Sequence, residues 1–85
     1  MNAYVYDSGK FLLQWTMITS RANTNRKLQS VYQDVIRALY PNDVADAIIG
    51  TDMKHSGEIG GYAYDVQMNG GAGFDLVMVS VTPIP

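Results

Sequence analysis

Arg26-Lys27-Leu28-Gln29-Ser30-Val31-Tyr32-Gln33-Asp34-Val35-Ile36-Arg37-Ala38-Leu39-Tyr40-Pro41 is the stretch on which the fold turns. Leu28, Val31, Tyr32, Val35, Ile36 and Leu39 recur at the spacing of an amphipathic helix, while Arg26, Gln29, Ser30, Gln33 and Arg37 fall on the opposite side. Arg21 to Asn25 reads as a polar connector ending in cap-type residues, so the helix is expected to start there. It must stop before Pro41, because the residue preceding a proline is pushed out of helical geometry.

Upstream, Asn2 to Tyr6 and Phe11 to Thr19 read as two strands joined at Asp7-Ser8-Gly9-Lys10. A two-residue Ser8-Gly9 loop sets Asp7 opposite Lys10 and Tyr6 opposite Phe11. Tyr4, Tyr6, Phe11, Leu13, Trp15 and Met17 then share one apolar face.

Downstream, residues 42–61 fit two readings. Asn42 to Ile49 makes a short helix with Asn42 as cap and Gly50 as terminator, or Ala47 to Lys54 makes a strand turning at His55-Ser56-Gly57. The helix is favoured, followed by a short strand. Tyr62 to Met68 alternates apolar and polar residues, and Phe74 to Thr82 forms a last strand across the loop Asn69-Gly70-Gly71-Ala72-Gly73. Pairing Val66 with Leu76 puts Tyr62, Tyr64, Val66, Met68, Phe74, Leu76 and Met78 on one face. Val77, Val79 and Val81 then line the back, so this strand is apolar on both sides and is expected to be central in the sheet or covered.

The order ββα-(α/β)-ββ predicts an α+β protein, a four- or five-stranded antiparallel sheet packed on one amphipathic helix. With 85 residues it is read as one compact domain spanning 1–85. Trp15, Leu28, Val35, Leu39, Val66 and Leu76 are the expected core, with Val35 at the centre of the helical stripe.

Charge is sorted along the chain. Residues 1–40 carry five basic and two acidic side chains, a net +3, whereas residues 41–85 carry one basic and six acidic, a net −5. A surface polarised in this way steers association with charged partners. Charged residues make up 16% of the chain, well below the ~25% of typical soluble proteins. Six tyrosines among uncharged polar residues suit a protein contact surface.

Several chemistries find no residues to carry them. Absence of cysteine removes disulfides, thiolate nucleophiles and Cys-based metal sites. His55 is the only histidine, and with Asp52 and Glu58 it makes a weak metal signal, since Ser56-Gly57 argues for a turn. The glycines from Gly70 to Gly73 lack the Lys-Ser/Thr of a phosphate loop and lead into a strand, so a hairpin loop is expected. Asp65 and Asp75 are read as solvated carboxylates on the more polar face of the last hairpin. No metal, cofactor or catalytic residue is expected, and an enzyme acting only within an oligomer ranks third among the readings.

What remains is a binding protein. The expected contact surface is the basic helix face, Arg21, Arg26, Lys27, Gln33 and Arg37. The alternative is the acidic set Asp43, Asp46, Asp52 and Glu58. The expected partner is a larger protein or protein–nucleic-acid complex; direct nucleic-acid binding through the basic face is the second reading, since a pI near 4.9 is far from that of a dedicated nucleic-acid binder. Small phage inhibitors of host defence, such as anti-CRISPR proteins, share this size and composition. A homodimer covering one face of the last strand is a further expectation. The opening residues lack a signal-peptide pattern and no apolar run suffices to span a bilayer, so a cytoplasmic location is expected.

Overall fold

A computed structural model describes residues 1–50 and 54–85. Seven elements follow one another: β1 Asn2–Val5, β2 Phe11–Ile18, α1 Ala22–Leu39, α2 Asn42–Ile49, β3 His55–Ile59, β4 Tyr62–Gly71 and β5 Phe74–Pro83. The strands form one sheet in the order β1-β2-β5-β4-β3, with every neighbouring pair antiparallel. This is the expected α+β fold, with five strands and two helices on one face. α1 packs on β2, and α2 packs on β3 and β4.

Both hairpins adopt registers other than those expected. In the first, Val5 rather than Tyr6 lies opposite Phe11. The loop has three residues, with Gly9 N–H donating to the Tyr6 carbonyl and Tyr6 N–H donating to the Lys10 carbonyl, both at 2.9 Å. A two-residue Ser8-Gly9 loop of the I′ type would force Ser8 to positive φ, and among the described residues none other than glycine adopts one. Gly9 alone takes it, at φ +88°. One residue of slip turns Tyr4 and Tyr6 to the face opposite Phe11, Leu13 and Trp15.

In the last hairpin Val66 pairs with Val79, three residues from the expected Leu76, because β4 runs on to Gly71 and the loop shrinks to Ala72-Gly73. Gly73, at φ +88°, supplies the positive φ that so tight a turn needs. The odd shift inverts β5. Val77, Val79 and Val81 face the helices and are fully buried, while Phe74, Leu76 and Met78 look out from the other face.

Phe11, Leu13 and Trp15 of β2, the three β5 valines and Val66 of β4 form the sheet side of the core; Tyr32, Ile36, Val44, Ala45 and Ile48 form the helical side. Of the expected core, Trp15 and Val66 are buried, Leu28 and Val35 are half-buried against it, Leu76 lies on the open face and Leu39 is 55% exposed. The centre of the α1 stripe is therefore Tyr32 and Ile36, not Val35. The apolar stripe is wider than the contact with β2, which leaves Val31 and Leu39 exposed.

α1 begins at Ala22, earlier than expected, and Asn25 does not cap it. Its side chain instead brackets the end of β2, accepting from Ile18 N–H at 3.2 Å and donating to the Ile18 carbonyl at 2.9 Å. Asn25→Ala removes both bonds and is expected to lower stability by ~1–2 kcal/mol in urea titration; no change would show the bracket to be idle. α2 is the helix favoured for this segment, with Pro41 rather than Asn42 at the cap position and no side-chain cap bond. It ends at Gly50, whose N–H donates to the Asp46 carbonyl.

Tyr32 joins the layers. Its hydroxyl donates to the Ile48 carbonyl at 3.2 Å and its ring lies 5.0 Å from that of Trp15. Burial pushes its pKa up to about 12. Above pH 10 the unfolded chain releases this proton while the folded protein keeps it, so stability present below pH 10 is lost as pH rises toward 12. The slope from this group is on the order of 1 kcal/mol per pH unit. Tyr32→Phe is expected to cost ~1 kcal/mol at neutral pH and to flatten the alkaline decline; a decline as steep as in the wild type would assign it to other groups.

Candidate partner-binding surfaces

The sequence-sorted charge separates in space only in part, since Arg37 is paired with Asp46 and Asp75 lies opposite Met17 near the end of β2 that leads to Arg21. Arg21 follows β2 after two intervening residues, its N–H donating to the Ile18 carbonyl, and Ile18 pairs with Phe74 beside the β4–β5 turn. Arg21, Arg26 and Lys27 therefore stand at that end of the molecule, all exposed. None forms an ion pair among the described residues, and Arg26 donates to the neutral Asn23 side chain. The first turn of α1 carries no acidic residue and no side-chain cap, so the helix dipole adds to their positive field.

The other two residues of the expected basic face differ. Arg37 Nη1 lies 2.8 Å from Asp46 Oδ1, and Gln33 is half-buried. Their side of α1 turns toward α2, which neutralises Arg37 locally. The exposed cations without an ion pair around the start of α1 are, among the described residues, Arg21, Arg26 and Lys27.

The alternative acidic set is split. Asp43 and Asp46 are exposed on α2, in the helical layer. Glu58 pairs with Ala63, which sets it on the opposite, open face of the sheet. Asp52 lies outside the described residues. Asp65 and Asp75 part company as well. Asp65 is in the Ser80 row of the open face, while Asp75, opposite Met17 and Gly70, shares the helix side with the buried valines. The expected shared face was a consequence of the wrong hairpin register.

His55 has a structural partner that the sequence did not reveal. Its Nε2 is 2.7 Å from the Ile48 carbonyl and 3.1 Å from that of Ala47, so the ring donates to the C-terminal end of α2. Among the described residues no three of the His, Asp and Glu side chains gather in a metal-binding group. Tyr40, against Tyr62 at 5.2 Å, has its pKa raised by burial and, less, by the neighbouring Tyr62 phenol.

Two apolar surfaces complete the picture; the two-sided apolar pattern of β5 pointed to the first, and the second was not foreseen. One is the open sheet face, where Tyr4, Ile18 and Phe74 are exposed around the half-buried Leu12, Leu76 and Met78. The other is a hollow of about 280 Å³ beside β1, lined by Val5, Gly9, Phe11, Leu39 and Tyr40. Five strands at ~4.8 Å need ~24 Å of cover and two helices ~10 Å wide supply less. Val5, 80% exposed, is what that shortfall leaves bare.

Comparison with protein-family models, curated proteins and solved structures returns no match. Among the described residues no helix is long and apolar enough to cross a membrane.

Proposed function

We propose that the protein is a non-catalytic binding protein that acts by occupying a surface of a larger macromolecular partner, with Arg21, Arg26 and Lys27 as its electrostatic contact. The observation that carries this reading is the contrast among the arginines and lysines of α1. Arg37 is satisfied within the molecule by Asp46, whereas the three cations at the start of α1 stand exposed and without an ion pair among the described residues. Exposed cations of this kind add little to stability and act on encounter with acidic or phosphate-bearing surfaces.

An acidic protein surface is the favoured target, because the chain as a whole is acidic and phosphate-driven binding would meet repulsion elsewhere on the molecule. Immobilised wild type and the Arg21→Glu/Arg26→Glu/Lys27→Glu variant should capture different proteins from a lysate of the native host, the partner being lost with the variant. Identical capture would contradict the reading. A mobility shift of fluorescent duplex DNA at low salt that disappears at moderate salt would replace it with nucleic-acid binding.

A further inference from the structure

We draw no further inference here: the strongest candidate, the apolar hollow lined by Val5, Gly9, Phe11, Leu39 and Tyr40 at the β1 edge of the sheet, is an unpartnered surface, and nothing in the structure shows what covers it.

Discussion

Val79→Asp is expected to leave the chain unfolded at 25 °C, while Met78→Asp, one residue away, folds with a loss of less than ~1 kcal/mol. Val79 is fully buried and pairs with Leu13 on one side and Val66 on the other, both in the core. A carboxylate there has no partner and would stay uncharged only at a cost of several kcal/mol. For a domain of this size that consumes most of the ~5–10 kcal/mol of total stability. Met78 lies on the open face, where a carboxylate keeps its water. Far-UV circular dichroism and urea titration of the two variants decide the matter. The opposite outcome, a folded Val79→Asp and an unfolded Met78→Asp, would mean that β5 presents its other face to the helices.

That pair of variants marks where the sequence was ambiguous. The 3.6-residue period of Leu28 to Leu39 has a single phase, so α1 was legible, whereas α2 was only the favoured of two readings, right in its end at Gly50 and wrong in its cap at Asn42. Phe74, Leu76 and Met78 compete with Val77, Val79 and Val81 for the core face of β5, and period-two alternation offers no choice between two apolar faces. The decision falls to the turn. The five-residue stretch from Asn69 to Gly73 accommodates several loop lengths, and each odd change in pairing inverts the strand. Ser8-Gly9 misled for a related reason, since a three-residue loop needs positive φ at Gly9 alone.

The candidate site was legible as residue types and not as a surface. Arg21, Arg26 and Lys27 could be picked out from the charge balance. That Arg37 is neutralised depends on the packing of α2 beside α1, which brings Asp46 within 2.8 Å across nine residues of sequence. The acidic set failed to assemble because β3 carries Glu58 to the far side of the sheet from α2. His55, a weak ligand candidate in the sequence, meets the Ala47 and Ile48 carbonyls at the end of α2, a contact that exists only once β3 packs against that helix.

Reversing the basic end is the second large expectation. Arg21→Glu/Arg26→Glu/Lys27→Glu changes the net charge of that end by six and leaves every ion pair described here intact. Because all three side chains are solvated, the fold should lose no more than ~0.5 kcal/mol for each replacement. Steered encounter is far more sensitive. Like charges facing an acidic partner repel before contact, and association is expected to slow ten- to a hundredfold, with about the same rate of dissociation. Reversing Arg37 alone should do much less to association, since its charge is already opposed by Asp46.

The most direct measurement is the association rate constant of the captured partner with wild type and with the triple variant, taken across a series of salt concentrations. For the wild type the rate should fall steeply as salt rises, because exposed charges are screened over a Debye length of ~8–10 Å. For the variant it should start lower and rise or stay flat, the two converging at high salt. Equal rates with equal salt slopes would contradict the assignment of Arg21, Arg26 and Lys27 as the electrostatic contact.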